Sequence, residues 1–133
     1  MKKVIYVCLA AMVLGACQES LEKRAERECK EYTKKYCPVP ISDNTTVDSM
    51  VFEKVSHTIH YFYTLKGIAD TTALPLETAR VEMLDALRNS TTEKPYKDAG
   101  YNFAYTYYST KHPGQKIVDV IFTPEDYQAG HSK

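Results

Sequence analysis

The chain has 133 residues, room for one domain, and its 26% charged and 44% hydrophobic residues exclude a disordered chain. Its 17 basic and 17 acidic side chains cancel, and loss of Lys2 and Lys3 with a leader would leave two more acids than bases. That balance excludes a nucleic-acid binder, which needs a basic surplus to displace counterions from phosphate.

Lys2 and Lys3 open the chain as a positive segment, and Val4 to Leu14 follow as an uncharged, mostly apolar run. As a helix that run reaches roughly 16 Å, against a hydrocarbon core of about 30 Å. It therefore reads as a cleaved export signal, residues 1–16, and not as a permanent span. The ending Leu14-Gly15-Ala16-Cys17 resembles the lipobox of bacterial lipoprotein precursors. The resemblance implies that the Cys17 thiol takes a diacylglyceryl group, that cleavage precedes it, and that the new amine receives an acyl chain such as palmitate. Plain cleavage by the general signal peptidase, with Cys17 incidental, is the alternative. Two or more acyl chains, at about 0.8 kcal/mol per buried methylene, hold a protein stably on a bilayer. Gln18 after the cysteine, by resemblance to the enterobacterial sorting rule, favours the outer membrane of the cell envelope.

From Gln18 to Tyr36 the spacing predicts a helix, part of it a stalk within an anchor segment 17–36. Leu21, Ala25, Cys29, Tyr32 and Tyr36 make one apolar stripe on a charged rod. Cys37-Pro38-Val39-Pro40 stops it, since proline cannot continue a helix and drives its predecessor to extended backbone. Ser42 to Thr46 is a polar turn. Val47–Val55 and Thr58–Leu65 are β-branched and aromatic, and read as a hairpin. Pro75 opens a second helix whose apolar face is Leu76, Ala79, Met83, Leu84 and Leu87, ending near Asn89. A polar loop runs from Ser90 to Gly100. Tyr101–Ser109 and Lys116–Phe122 then form a second hairpin around His112-Pro113-Gly114. Thr123-Pro124-Glu125-Asp126 starts one short terminal turn.

The predicted order is α-ββ-α-ββ in an α+β domain, residues 37–127, with a flexible tail at 128–133. The simplest arrangement is a four-stranded antiparallel sheet with two helices on one face. Ile59-His60-Tyr61-Phe62-Tyr63 and Phe103-Ala104-Tyr105-Thr106-Tyr107 echo one another, either by duplication or because two half-buried strands converge. Cys37-Pro38, Val47-Asp48-Ser49, Tyr61-Phe62-Tyr63-Thr64-Leu65, Gly100, Tyr105-Thr106-Tyr107 and Thr123-Pro124-Glu125-Asp126-Tyr127 come in that order. In these the segment 36–127 resembles a family of small exported bacterial lipoproteins. That resemblance implies the fold and the export, and no activity. The Lys111-His112-Pro113-Gly114 turn departs from the Asp/Asn-Gly turn expected there.

Chemistry is sought next. With Cys8 in the leader and Cys17 assigned to lipid, Cys29 and Cys37 remain, in a compartment that permits a disulfide. Eight residues of unbroken helix advance about 12 Å, whereas bridged Cα atoms lie about 5–6 Å apart. A Cys29–Cys37 bridge thus requires the helix to stop early, and Cys29 is otherwise explained as a small buried hydrophobe. No zinc-ligand spacing, Gly-x-Ser-x-Gly elbow or phosphate-cradling glycine loop occurs in the sequence. His57, His60, His112 and His131 read as solvated surface side chains. No metal, cofactor or catalytic residue is expected.

Of the 11 tyrosines only Tyr6 lies in the leader, and tyrosine suits a surface that binds. Helices can cover only one sheet face. Ile59, Tyr61, Tyr63 and Leu65 are expected beneath them, which leaves His60, Phe62 and Tyr108 as a protein-binding face. Two functional classes follow. One is a non-catalytic protein-binding module of the envelope: an inhibitor, an immunity protein or an assembly subunit, with an envelope or secreted protein as partner. The other is a structural lipoprotein with no discrete ligand.

Overall fold

Ser20 caps the first helix, α1 (Leu21–Tyr36), its hydroxyl accepting from the Lys23 N–H at 3.3 Å. The structure, a computed structural model, describes residues 19–128. The expected export signal, Cys17 and residues 129–133 lie outside the described residues. Along α1 the stripe turns Ala25 and Cys29 into the core. The outer face carries Arg24–Glu28 and Glu26–Lys30 ion pairs and an Arg27 shared by Glu19 and Glu31. All are solvent-exposed, so they contribute little to stability. The helix ends at Cys37, where the cis Cys37–Pro38 bond begins the exit.

Five strands follow, in spatial order β1-β2-β3-β4-β5. They are β1 (Val39–Pro40), β2 (Thr45–Glu53), β3 (Thr58–Leu65), β4 (Asn102–Ser109) and β5 (Lys116–Phe122). A 3₁₀ turn (Gly67–Ala69), α2 (Leu76–Asn89) and α3 (Lys94–Asp98) connect β3 to β4, and α4 (Pro124–Gln128) closes the chain. The expected four-stranded antiparallel sheet is corrected in two ways. First, β1 adds a fifth, edge strand, pairing Val39 with Val47 and Pro40 with Thr46. Proline is tolerated there because an edge strand leaves one side of its backbone unpaired. Second, β3 and β4 pair in parallel. The helical segment between them is the long crossover that parallel neighbours require.

Among the described residues there are four helices, where a pair and one short terminal turn were expected. The added α3 lies in the segment read as a polar loop, with a proline in its first turn. Side chains from all four helices enter one cluster with Ile59, Phe103 and Phe122, so they pack on the same face of the sheet. Phe103 and Phe122 are fully buried, each contributing about 2–3 kcal/mol by removal from water. Leu76, expected on the apolar face of α2, is largely exposed at the first turn.

Two polar fixtures set the loops. Asp70, buried after the 3₁₀ turn, accepts from the Thr110 and Lys111 N–H groups at 2.9 and 2.8 Å. Lys97 extends from α3 to the end of α2 and donates to the carbonyls of Leu87, Arg88 and Ser90 at 2.7, 2.9 and 2.8 Å. They lie at the end of the helix, where carbonyls lack the usual i+4 partner; Leu87 O also accepts from the Ser90 N–H at 3.2 Å.

Candidate functional site

The parallel β3–β4 register arranges the helix-side face in three rows across four strands. Phe52, Ile59, Phe103 and Phe122 form one, Met50, Tyr61, Tyr105 and Val120 the next, and Val47, Tyr63, Tyr107 and Val118 the third. The first row is the core. In the other two the tyrosines stack pairwise across β3 and β4. Tyr61 and Tyr105 have centroids 5.1 Å apart at 6°, and Tyr63 and Tyr107 4.3 Å apart at 9°.

The helices do not close over these rows. α1 is fastened to β2, where the Thr33 hydroxyl both accepts from Met50 N–H and donates to Met50 O, at 2.9 and 3.0 Å. That contact also satisfies backbone groups that the two-residue β1 leaves unpaired. α2 lies toward β5 and α4 on the far side. Between them a cleft of about 430 Å³ opens under α1, bounded by Tyr32, Ile41, Met50, Tyr61, Tyr63 and Tyr96. A second of about 260 Å³ continues toward α2, bounded by Met83, Ala86, Tyr105 and Tyr107. The two share Tyr63 and Glu93, so they adjoin along a sheet surface of four tyrosines and are together termed the groove.

Glu93 is the carboxylate at the junction. Its Oε1 accepts from the Tyr61 hydroxyl at 2.7 Å and its Oε2 accepts from the Ser90 hydroxyl. At the other end Tyr96 donates to Glu28 at 2.6 Å. Burial pushes the hydroxyls of Tyr61, Tyr63, Tyr105 and Tyr107 above the ordinary phenol range, and the Glu93 charge adds to this at Tyr61. They are neutral at any physiological pH. The groove therefore offers apolar ring surface, hydroxyl donors and two carboxylates, Glu93 at the junction and Glu28 at the α1 end, where Glu28 is paired with Arg24.

His60, Phe62 and Tyr108 lie together on the opposite face. The His60 and Phe62 rings stack at 4.0 Å, and Phe62 meets Tyr108 at 6.5 Å. His60 is not a solvated surface side chain, as its sequence context suggests. Its Nδ1 sits 2.9 Å from Glu53 Oε1 and its Nε2 2.7 Å from Thr106 Oγ1, while Thr106 donates to Asp119 at 2.9 Å. Acid, imidazole and hydroxyl stand in the order of a hydrolytic triad. However, Thr106 is only 1% exposed and its proton is committed to Asp119, so no substrate carbonyl reaches it. The chain of contacts ties four strands together and carries no nucleophile.

Cys29 and Cys37 are free thiols, and α1 runs unbroken through Tyr36 between them. Burial pushes the Cys29 thiol up to about 11. Among the described residues no group of His, Cys, Asp and Glu could hold a metal ion. Cys17 lies outside the described residues.

The groove escaped the sequence reading for two reasons. Tyr61, Tyr63, Tyr105 and Tyr107 have the period of a buried face, and nothing in that period says the covering helices diverge. Glu93 sat in a segment read as loop; the Glu93-Lys94-Pro95 helix start was the available signal.

Residues 20–118 match a protein family described as a Domain of unknown function (DUF8479). The chain belongs to this family. The match spans α1 to the start of β5, and so contains all four floor tyrosines and Glu93. No curated protein matches the chain. Three solved structures share the fold. One is a Pseudomonas aeruginosa protein described as secreted, with TM-score 0.67 and 15% identity over 83% of this chain and 99% of that one. A type 2 secretion system pilotin of Vibrio vulnificus, EpsS, has TM-score 0.65 and 18% identity over 81% and 92%. The type II secretion system pilotin AspS of Vibrio cholerae has TM-score 0.60 and 16% identity over 80% and 91%. At these identities the likeness is one of fold.

Proposed function

We propose that this DUF8479 protein is a lipid-anchored component of the bacterial envelope that binds a protein partner without catalysis. The partner is an envelope protein that presents an apolar helical segment. The observation that carries the reading is the tyrosine-floored groove between α1 and α2. An apolar cleft with a few fixed polar groups is the ordinary form of a binding site. An apolar groove beside helices is one recurring seat for the apolar stripe of a partner helix. Tyrosine offers large contact area at small rotamer cost, with a hydroxyl that tolerates water before the partner arrives. The shared fold with type II secretion pilotins and a secreted protein supports an envelope setting. The Lys2-Lys3 segment, the apolar run and Leu14-Gly15-Ala16-Cys17 support export and lipid attachment.

Site-specific photocrosslinking in living cells tests the site. A benzophenone amino acid at Ala86 faces the groove, and one at Val51 lies on the opposite sheet face. A discrete envelope-protein adduct from position 86 and none from 51 is expected. Adducts from 51 alone would move the site to the His60, Phe62 and Tyr108 face; adducts from neither would favour a structural lipoprotein. Anchoring has its own test: Cys17→Ala should abolish incorporation of an alkyne-labelled palmitate. Retained label, or cleavage after Ala16 in that variant, would remove the lipid from the proposal.

A further inference from the structure

We infer that the groove selects a helical segment carrying an arginine, whose guanidinium meets the Glu93 carboxylate between apolar contacts on the tyrosine floor. The inference rests on the groove being the binding site and adds the chemistry of what enters it. Glu93 stands where the two clefts join. A carboxylate has about four acceptor positions, two on each oxygen. Tyr61 occupies one on Oε1 and Ser90 one on Oε2, so each oxygen keeps one free. Two free acceptors on adjacent oxygens are the pattern that a guanidinium fork meets with two parallel N–H bonds.

The cations nearest in sequence are committed elsewhere. Lys97 Nζ is bound to three carbonyls at the end of α2, and Lys94 pairs with Asp98 at 2.8 Å. Arg88 donates to the carbonyls of Asp126 and Tyr127. Among the described residues Glu93 has no ion-pair partner; its two contacts are neutral hydroxyls. The surrounding rings lower the local dielectric, which raises the value of a matching charge and penalises a second anion. The Tyr61 and Tyr63 phenols, held neutral by burial, add no negative charge of their own beside it. A wholly apolar segment would cover Glu93 and leave its free acceptors unpaired, at a cost to affinity.

The test uses the chain from residue 17 onward with Cys17→Ser, since the whole core cluster lies between Ala25 and Tyr127. The probe is a synthetic amphipathic peptide of about four helical turns, with leucines on one face and a single central arginine within that face. Its analogue replaces arginine by citrulline, which keeps shape and loses charge. Fluorescence anisotropy should show the arginine peptide binding at least about tenfold more tightly. Glu93→Gln should bring the two peptides to equal affinity by weakening the arginine peptide alone, and Tyr107→Ala should weaken both. Equal binding of both peptides to the Glu93 protein, still weakened by Tyr107→Ala, would overturn the charge selection and leave the groove standing. Binding of either peptide that Tyr107→Ala does not alter would overturn the groove reading itself.

Discussion

Tyr63 stacks on Tyr107 across the parallel β3–β4 pair, with centroids 4.3 Å apart and ring planes 9° apart. Tyr63 is 9% exposed, so the pair is part groove floor and part core. Tyr63→Ala should cost about 3 kcal/mol, the range for removing a buried aromatic. A double-mutant cycle with Tyr107→Ala should return about 1 kcal/mol of coupling. Urea unfolding of the four proteins measures this; additive losses would mean the rings do not support each other.

The same pair shows what could be read beforehand. The echo between Ile59–Tyr63 and Phe103–Tyr107 is plain in the sequence, and those residues are partners in register: Ile59 with Phe103, Tyr61 with Tyr105, Tyr63 with Tyr107. Parallel neighbours in one layer meet the same helices on one side and open space on the other, so similar side chains suit both. The pairing direction was not legible: parallel neighbours need a crossover, but nothing local in the sequence makes β3 and β4 neighbours. Likewise, β1 has two residues, one of them Pro40, and α3 has five. Segments that short carry no periodicity. The gap between α1 and α2 is a property of two packing contacts, Thr33 on Met50 and Arg88 on the α4 carbonyls, and neither is a local pattern.

Asp70 should make stability depend on acid. The Ser109 side chain, then the Lys111 and Thr110 N–H groups, hold its carboxyl below the ordinary aspartate range. A depressed folded value stabilises the protein above the unfolded pKa of about 3.9, and that contribution disappears as pH falls through the lower folded value. Asp70→Asn should therefore lower the melting temperature at pH 7 and narrow its deficit below about pH 4. Thermal denaturation of both proteins from neutral to acid pH checks it. A constant deficit would assign the loss to packing.

Lys97 is predicted to fix α3 to α2. Its ammonium serves three carbonyls at a helix C-terminus, where the dipole also favours a cation. Lys97→Met keeps the stem and removes the donors, and should cost about 2 kcal/mol. Because Ser90 and Glu93 lie in the segment Lys97 secures, amide exchange should quicken from Ser90 to Lys94 before the sheet changes. Unchanged exchange there, with the stability loss present, would place the effect in α3 alone.

The two cysteines of the domain should behave as separate thiols. In α1 the chain stays helical from Leu21 to Tyr36, so Cys29 and Cys37 are held too far apart along its axis for bridged Cα atoms, which need about 5–6 Å. Both are free in the structure. Cys29 is 2% exposed, and burial pushes its thiol up to about 11, so little of the reactive thiolate forms near neutrality and no reagent reaches it. Cys37 is half-buried at the helix end, and burial raises its thiol first, with the Asp48 charge adding to the effect. It should still react, slowly, because it is accessible. Iodoacetamide at pH 8 should therefore label Cys37 alone in the folded protein and both thiols in urea. A protected Cys37, or a two-dalton deficit in the non-reduced peptide spanning the pair, would show that α1 breaks before Tyr36 in the exported protein. If the bridge formed it would close a short loop worth about 2.5 kcal/mol, and reduction would then lower the melting temperature; with separate thiols, reduction changes nothing.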